Sequence, residues 1–376
     1  MKRVLYIVST LRKVGPINQL SYIVRSLDRA KFQPIVLTLS PEPSDSMIKY
    51  FREELGVRVE SLSLTRVQSI FLAKKKLYDF VIRNNIDIIH SQGLRADLFA
   101  SKLRILIPKI TTIRNYPQLD FSMTYGKLLG YIMTRVQIYV LQYFDVCCGV
   151  SYAVSNNLSK KFGLKNVVTV RNGVDREKFY PLNCEDKTIL RKHLLLPLNK
   201  KIWVSFIGKD QRKDAKSVAM AYKKLYKEDD GNFLIFIGTG SLKVVCENIL
   251  NDIDDVLFTG EMDNVVQYLQ VADYMISASY AEGLPNAVLE ALACGLPVVL
   301  SDIEPHREIF SLNDKIGLLF LKGSFDNLYE KMKELILRNY DEVRHEVLDV
   351  VKRELGSSKM SKKYQEIYQA LGDSKR

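Results

Sequence analysis

Two carboxylates separated by seven residues frame the segment of this 376-residue chain that is best suited to chemistry. Glu282 precedes a Gly-Leu-Pro turn, and Glu290 follows about two turns into the helix that this turn opens. Pro285 suits a first helical turn because its missing N–H costs nothing there, so we predict a helix from about Pro285 to Cys294 that ends at Gly295. One carboxylate can accept hydrogen bonds from sugar hydroxyls while the other accepts them from a ribose diol.

The turn between the two carboxylates predicts an anion site. Backbone N–H groups at a helix start lack partners in the helix and lie at the positive end of its dipole, where a diphosphate fits. The N–H groups that would converge there belong to Gly283, Leu284, Asn286 and Ala287, with Pro285 completing the turn. An ordinary helix with its one glutamate on a solvated face is the alternative. The otherwise apolar helix favours a partner or a cleft for that charge.

The elements that must position these residues follow from alternating apolar runs and helical patterns, which are typical of parallel sheets with crossover helices. Predicted strands are 3–8, 34–39, 58–62, 86–90, 110–113, 145–150 and 167–170, then, after a polar link at 185–200, 202–208, 233–238, 256–259, 274–277, 297–301 and 317–321. The chain length favours two domains, and the fold class is therefore α/β with two doubly wound sheets.

The net charge of +12 is unevenly distributed. Residues 1–171 contain 26 Lys and Arg against 11 Asp and Glu, whereas residues 172–376 contain 29 against 32. The basic half favours an anionic partner such as nucleic acid, anionic lipid or a phosphorylated substrate, and a solvated charged surface is the alternative. No module of stacking aromatics accompanies it, which disfavours nucleic acid. The run KLRILIPK at 102–109 could dip into an anionic membrane surface or be a helix end before an edge strand.

No segment has the pattern of a signal peptide or a membrane span. The N-terminal apolar run is short and lacks a small-residue cleavage site, so we expect it to be the first strand. The most hydrophobic stretch, 128–146, is interrupted by Arg135, Gln137, Gln142 and Asp145, which predicts a buried or half-buried helix. Five cysteines without metal spacing argue against a disulfide framework and favour a reducing cytoplasm.

The segment EGLPNAVLEALACGLPVVLSD resembles the paired-carboxylate signature of the retaining glycosyltransferases of family 4. Other segments resemble the family in order and spacing, among them STLRKVGPINQL and RNGVDREKFYP. The resemblance implies a GT-B fold, in which two facing Rossmann-like domains enclose an interdomain cleft. An acceptor-binding domain at 1–171 would precede a nucleotide-sugar-binding domain at 172–356, and a C-terminal helix at about 357–376 would pack back on the first domain.

The resemblance also implies roles for several residues. Lys209 and Lys213, in the loop after the strand at 202–208, would neutralise the leaving diphosphate as the glycosidic bond breaks. Gly15 would let the backbone approach a phosphate closely. The loops FIGTGSL and FTGEMDNV would line the nucleotide base through Gly238, Thr239, Gly260 and Glu261.

The first domain departs from the family's pattern. Many members have a His after the strand that corresponds to 110–113, where this chain has Arg114 and Asn115. The segment HSQG keeps His90 but has Gln92 in place of a second His. The resemblance implies that the leaving phosphate takes the acceptor proton, so no strong protein base is required, and Arg114 would stabilise the phosphate or an anionic acceptor. Of the four histidines, His90 alone lies near a predicted strand end.

The resemblance implies a retaining hexosyltransferase that moves a sugar from a nucleotide sugar, with UDP-sugars favoured over GDP-sugars. The expected acceptor is a saccharide, linked to polyprenyl diphosphate or soluble, in the synthesis of O-antigen, capsule or exopolysaccharide. No metal or cofactor is expected, because the carboxylates do not form the triplet that holds Mg²⁺ or Mn²⁺. The expected location is the cytoplasm, peripheral on the inner face of the plasma membrane.

Two alternative functions remain open at the level of the sequence. A nucleotide-sugar 2-epimerase shares the fold but needs additional carboxylates and histidines, and these are scarce here. A catalytically silent nucleotide-sugar-binding subunit of a polysaccharide assembly complex is the second alternative. The presence of Glu282, Glu290, Lys209 and Lys213 argues against such a subunit.

Overall fold

A computed structural model of the chain describes residues 1–208 and 211–373, and these residues form two compact units. The first unit contains Met1–Gly173 together with the chain from Ser357 onward, and the second contains Val174–Gly356. Each unit is a parallel sheet connected by helices. The α/β class and the two doubly wound sheets predicted from the sequence are therefore confirmed.

The sheet of the first unit has seven parallel strands in the order β3-β2-β1-β4-β5-β6-β7. They are β1 (Lys2–Val8), β2 (Phe32–Thr38), β3 (Arg58–Ser61), β4 (Ile88–Gln92), β5 (Lys109–Ile113), β6 (Val146–Gly149) and β7 (Val167–Thr169). Its helices before the second unit are α1 (Gly15–Arg25), α2 (Arg66–Arg83), α3 (Leu94–Ser101), α4 (Pro117–Tyr125), α5 (Lys127–Leu141) and α6 (Tyr152–Asn156), with short helical turns at Tyr50–Glu54 and Asn157–Lys161. The strand order reverses between β1 and β4, and ligands of open α/β sheets bind outside the carboxyl ends of strands at such a point.

The sheet of the second unit has six parallel strands in the order β10-β9-β8-β11-β12-β13. They are β8 (Lys201–Phe206), β9 (Asn232–Ile237), β10 (Val256–Phe258), β11 (Tyr274–Ser277), β12 (Val298–Ser301) and β13 (Gly317–Phe320). Its helices are α7 (Cys184–His193), α8 (Ala215–Glu228), α9 (Lys243–Ile249), α10 (Val265–Val271), α11 (Asn286–Ala293), α12 (Glu304–Phe310), α13 (Phe325–Ile336) and α14 (Tyr340–Val350), with short helical turns at Gln211–Lys213, Asp314–Ile316 and Val351–Leu355. All thirteen predicted strands are present, with bounds within two residues of the prediction.

The polar link predicted at 185–200 is wrong, because α7 occupies most of it. Asn183 caps this helix by accepting a hydrogen bond from the backbone N–H of Asp186. Lys187 and Arg191 each contact the carboxylate of Asp273 at 2.7 Å. The helix packs through charged side chains, so its composition resembles that of a linker although its structure is ordered.

The hydrophobic stretch at 128–146 contains α5, a half-buried helix as predicted. Within residues 1–208 and 211–373, no helix combines the length and the apolar character that crossing a bilayer requires. The run at 102–109 joins α3 to β5, which lies between β4 and β6 and is therefore not an edge strand. Lys109 is buried, and its ammonium donates to the carbonyl of Leu103 at 2.7 Å, which removes it from any membrane-facing surface.

The last helix, α15 (Ser357–Asp373), belongs to the first unit and contributes to its core. Its buried Tyr368 hydroxyl lies 2.7 Å from Nδ1 of His90, and the Nε2 atom of His90 lies 2.8 Å from the Thr112 hydroxyl. Tyr364, also on α15, hydrogen-bonds Thr112 at 2.9 Å. Burial lowers the pKa of His90 to about 3, so this ring stays neutral. A polar network therefore fixes α15 to the centre of the sheet.

We expect Tyr368→Phe to destabilise the first unit, because it leaves Nδ1 of the buried His90 without its partner. An unpaired buried polar atom costs about 1–3 kcal/mol. The free energy of unfolding, measured by urea denaturation with hydrogen exchange to identify the first unit, checks this. Tyr131→Phe is the matched control, since this ring on α5 is 64% exposed. Equal destabilisation by both exchanges would contradict the role given to the network.

Candidate functional site

The helix that follows the Gly-Leu-Pro turn is confirmed to within one residue at each end. It is α11, for which Pro285 is the N-cap residue and Cys294 the C-cap residue. Gly295 follows with a φ of +82°, a left-handed conformation that favours glycine and ends the helix. The backbone N–H groups of Val288 and Leu289 already donate to the Pro285 carbonyl, so the first turn of the helix closes there.

The turn itself is largely enclosed. Gly283, Leu284 and Pro285 are buried, whereas Asn286 and Ala287 are half-buried, so the helix start reaches the surface through the last two residues. Gly283, Leu284 and Asn286 each take part in a further interaction. The N–H of Ala287 has no acceptor among residues 1–208 and 211–373. The predicted set of four converging amides therefore remains a prediction.

Glu282 is held in its ionised form by an ion pair. Its Oε1 atom accepts hydrogen bonds from the Lys213 ammonium at 2.5 Å and from the Ser279 hydroxyl at 2.9 Å. Burial acts to raise the pKa of Glu282, but the charge of Lys213 and these two hydrogen bonds outweigh it and hold the pKa below its usual range. In the part of the chain that the structure describes, the other carboxylate oxygen has no hydrogen-bond donor. That oxygen remains an acceptor for a ligand.

Lys213 reaches Glu282 because two loops at the carboxyl edge of the sheet are joined by their backbones. The turn Gln211–Lys213 follows β8, and its Arg212 carbonyl accepts a hydrogen bond from the Tyr280 N–H at 2.8 Å. Asp214 then caps α8 through the N–H of Ser217. The sequence predicted that Lys213 faces the diphosphate, and it did not predict the ion pair with Glu282. Lys209, its predicted companion, lies outside the described residues.

Glu290 has the opposite environment, although it lies on the helix that Glu282 precedes. It is half-buried, and none of the residues in 1–208 and 211–373 donates a hydrogen bond to its carboxylate. Burial raises the pKa of Glu290 to about 7, and the charges of Lys178 and Lys213 oppose that increase only in part. The structure thus provides a carboxyl group with a pKa of about 7 whose oxygens are available to accept hydrogen bonds from a ligand.

The two loops predicted to line a nucleotide base lie side by side. The N–H of Gly238 donates to the carbonyl of Gly260 at 3.0 Å, which links the loops after β9 and β10. Gly238 has a φ of +96°, and a Cβ there would lie 2.8 Å from the Ile207 carbonyl oxygen, so the position requires glycine. Thr239 and Glu261 are exposed on the same pair of loops.

His306 is a candidate site residue that the sequence analysis did not single out. It lies on α12 and is fully buried, and its Nδ1 atom lies 2.8 Å from the carbonyl of Ser301, the last residue of β12. The Ser301 hydroxyl in turn donates to the Ser279 carbonyl at 2.6 Å. The sequence placed only His90 near a predicted strand end, and the structure adds His306, whose ring contacts the last residue of β12. The sequence signal that could have identified His306 is its position about one helical turn after the apolar strand that ends at Ser301.

In the first unit, two of the predicted residues, Gln92 and Arg114, meet at the carboxyl ends of the strands. The Arg114 guanidinium donates to the Gln92 side-chain oxygen at 2.8 Å, to the Asn172 side-chain oxygen at 3.0 Å and to the Pro16 carbonyl at 3.4 Å. Pro16 follows Gly15, the first residue of α1. The Nε of Arg114 and the side-chain nitrogen of Gln92 are buried without a partner among the described residues.

Two other predicted residues of the first unit are engaged elsewhere. Both ring nitrogens of His90 are occupied by the network around Tyr368 and Thr112. The side chain of Asn115 donates to Asp120 at 3.2 Å and accepts from the backbone N–H of Tyr116, next to the start of α4. This geometry favours structural roles for both residues. In residues 1–208 and 211–373, no three His, Cys, Asp or Glu side chains are grouped so that they could hold a metal.

Comparison with known proteins finds one family model in each of the two units. The family model described as Glycosyltransferase Family 4 matches residues 18–178, and the one described as Glycosyl transferases group 1 matches residues 186–347. Similar proteins include N-acetyl-alpha-D-glucosaminyl L-malate synthase of Bacillus anthracis, 24% identical over 85% of this chain and 83% of that protein. The O-antigen biosynthesis glycosyltransferase WclY of Escherichia coli is 24% identical over 98% of each chain.

A further relative is an N-acetylgalactosamine-N,N'-diacetylbacillosaminyl-diphospho-undecaprenol 4-alpha-N-acetylgalactosaminyltransferase of Campylobacter jejuni, 24% identical over 69% of this chain and 66% of that protein. Among solved structures, Anabaena Alr3699/HepE in complex with UDP-glucose matches with a TM-score of 0.80 at 16% identity, over 98% of this chain and 100% of that one. The two family models together span most of both units, and the chain therefore belongs to the family 4 glycosyltransferases, with the two Rossmann-like domains of the GT-B fold.

Proposed function

We propose that this chain is a retaining hexosyltransferase that takes its sugar from a nucleotide sugar, with a UDP-sugar favoured over a GDP-sugar. The observation that carries the proposal is the contrast between two carboxyl groups. Glu282 is ionised and paired with Lys213, whereas Glu290 has a pKa of about 7 and no hydrogen-bond partner within the described residues. One acceptor before the start of α11 and one within the helix suit two sets of hydroxyls. The UDP-glucose complex of the Anabaena relative supports the choice of donor class.

In this proposal Glu282 binds the transferred sugar and Glu290 binds the ribose. The Lys213 ammonium has three N–H donors and, among the described residues, uses one for Glu282, so two are left for the diphosphate whose negative charge grows as the glycosidic bond breaks. Lys209 would act with it. A leaving phosphate neutralised in this way can take the acceptor proton on the same face of the sugar. No metal is then needed to stabilise the leaving group.

The first unit would bind the acceptor, and Arg114 is its candidate anion ligand. The acceptors named for the relatives are anionic: L-malate for the Bacillus protein and a diphospho-undecaprenol saccharide for the Campylobacter protein. We favour a polyprenyl-diphosphate-linked saccharide of a surface polysaccharide, in line with the O-antigen role named for WclY. The excess of basic residues in 1–171 supports an anionic acceptor of either kind.

We expect Glu290→Ala to raise the KM for the donor, and Glu282→Ala to lower kcat. A ribose contact stabilises ground and transition states equally, whereas a contact to the reacting sugar can strengthen in the transition state. Each lost charged hydrogen bond should cost about 1.5–3 kcal/mol. Steady-state kinetics with UDP-glucose and related UDP-sugars, in buffer containing EDTA, measures both parameters.

The matched control is Glu330→Ala, which removes an exposed glutamate of α13 in the same unit and should leave both parameters unchanged. Equal losses of kcat and of donor affinity in both site variants would contradict the division of roles. Loss of turnover in EDTA, restored by a divalent ion, would overturn the metal-free mechanism. A chain that binds UDP but never transfers or hydrolyses the donor would be the silent binding subunit.

The ionisation of Glu290 predicts a pH dependence of donor binding. A ribose diol needs the carboxylate form as acceptor, and burial raises the pKa of Glu290 to about 7, so protonation competes with binding below that pH. The Kd for UDP-glucose should fall about tenfold between pH 6 and pH 8. Glu290→Gln cannot ionise and should bind more weakly with little pH dependence. Calorimetric titrations of both proteins test this, and parallel pH profiles would exclude Glu290 as the titrating group.

We further propose that the enzyme works at the cytoplasmic face of the membrane, bound peripherally through the first unit. A groove between α2, the segment after α3 and α5 is bordered by Lys74, Arg104, Leu106, Arg135 and Tyr139. Leu106 is 90% exposed, and Tyr139 is 59% exposed. Exposed apolar and aromatic side chains among cations fit the boundary of an anionic bilayer.

We expect the wild type to sediment with liposomes containing anionic lipid at low salt and to dissociate as ionic strength rises, because screening shortens the reach of surface charges. Replacing Lys102 and Arg104 together by Gln should weaken binding by roughly 1 kcal/mol per charge. Donor hydrolysis should stay unchanged. The control replaces Lys362 and Lys363, two exposed lysines of α15, by Gln. A wild type that ignores anionic liposomes at low salt would favour a soluble anionic acceptor.

A further inference from the structure

His306 has one ring nitrogen in a hydrogen bond and one that is buried without a partner in the described part of the chain. Its Nδ1 atom lies 2.8 Å from the backbone carbonyl oxygen of Ser301, which can only accept a hydrogen bond. The Nδ1 atom therefore carries the proton, and in the neutral ring Nε2 is an acceptor. Burial lowers the pKa of His306 to about 4, so the ring is neutral at physiological pH. Nε2 is buried and has no hydrogen-bond partner among the described residues.

This ring belongs to the surroundings of Glu282. The Ser279 hydroxyl donates to the Glu282 carboxylate, and the Ser279 carbonyl accepts from the Ser301 hydroxyl. The Ser301 carbonyl in turn accepts from Nδ1 of His306, so hydrogen bonds connect the ring to the carboxylate through two serines. The ring and the Glu282 carboxylate also act on each other electrostatically, and Lys213 acts on the ring. The imidazole is therefore fixed in orientation and tautomer close to the ion pair.

We propose that Nε2 of His306 accepts a hydrogen bond from a hydroxyl group of the transferred sugar, and that His306 is thus a specificity-determining residue. The inference rests on the proposed function and adds to it a requirement on the sugar. Glu282 has one carboxylate oxygen without a donor among the described residues. This oxygen and Nε2 of His306 are two hydrogen-bond acceptors that carry no proton. Such a pair fits two hydroxyl groups.

Because Nε2 of His306 and that Glu282 oxygen are both acceptors, they select for ligand groups that donate a hydrogen bond. While the ring stays neutral, a phosphate oxygen beside Nε2 is disfavoured, because both atoms are then acceptors and the contact would be repulsive. A sugar that lacks the matching hydroxyl leaves the buried nitrogen unpaired, and sites built to bind a hydroxyl discriminate strongly against analogues without it. The main alternative is an ordered water on Nε2 that contributes nothing to donor choice.

Two exchanges separate the ring nitrogens. His306→Asn places an amide N–H near Nδ1 and keeps the bond to Ser301 but removes the acceptor at Nε2. His306→Gln places a carbonyl oxygen near Nε2 and loses the donor at Nδ1. The matched control is His345→Asn, the same exchange at an exposed position of α14. The probes are UDP, the UDP-hexose with the highest turnover, and its 2-, 3-, 4- and 6-deoxy analogues.

We expect wild type to lose about tenfold in kcat/KM on at least one deoxy analogue. His306→Asn should lose a similar factor on the full sugar and show no further loss on that same analogue, while UDP still raises its Tm as in wild type. His306→Gln should lose less and keep the discrimination. If His306→Asn does not fold, His306→Gln carries the test, since retained discrimination supports the acceptor role and lost discrimination contradicts it.

The outcomes distinguish this inference from the proposed function. Undiminished discrimination by His306→Asn, with UDP binding and transfer intact, would overturn the role of His306 and leave the transferase standing. If wild type binds no UDP and turns over no nucleotide sugar, the proposed function fails and the inference fails with it. An unchanged His345→Asn confirms that the effect belongs to the buried position.

Discussion

The ion pair between Lys213 and Glu282 is the interaction on which the candidate site depends. Its side chains are only 26% and 16% exposed, and a charge in such a place is costly unless it is paired. The pair joins the loop after β8 to the loop after β11, and the backbone bond from Tyr280 to Arg212 holds the loops in register. It also keeps Glu282 ionised and, counting only partners in residues 1–208 and 211–373, leaves one carboxylate oxygen for a ligand and two ammonium hydrogens for an anion.

The two carboxylates illustrate how burial and pairing assign different properties to one residue type. Glu282 is paired with a cation and a hydroxyl, and its pKa falls below the usual range, whereas at Glu290 burial outweighs the nearby positive charges and the pKa rises to about 7. Groups whose environments separate their pKa values commonly have different roles in one site. The buried imidazole of His306 lies near Glu282, and its Nε2 atom is a third acceptor beside the two carboxylates.

Polar networks give the carboxyl edge of the first sheet its order in a similar way. Arg114 connects α1, β4 and the chain near Asn172, and its Nε atom remains buried without a partner in the described residues. His90 lies deeper in the same sheet and connects it to Tyr368 of α15. One residue is therefore suited to a ligand, and the other to holding the C-terminal helix in place.

The sequence by itself determined every strand and the limits of α11, because apolar periodicity and the chemistry of Pro285 and Gly295 act within a few residues. It also singled out Glu282 and Glu290 as the candidate carboxylates of the site. Only the tertiary structure decided that Lys213 pairs with Glu282, that His306 lies beside them, and that Lys109 is buried. These contacts join residues from different loops, and the order of strands in the sheet brings them together. The charged helix α7 was missed because ion pairs to Asp273, and not an apolar face, hold it.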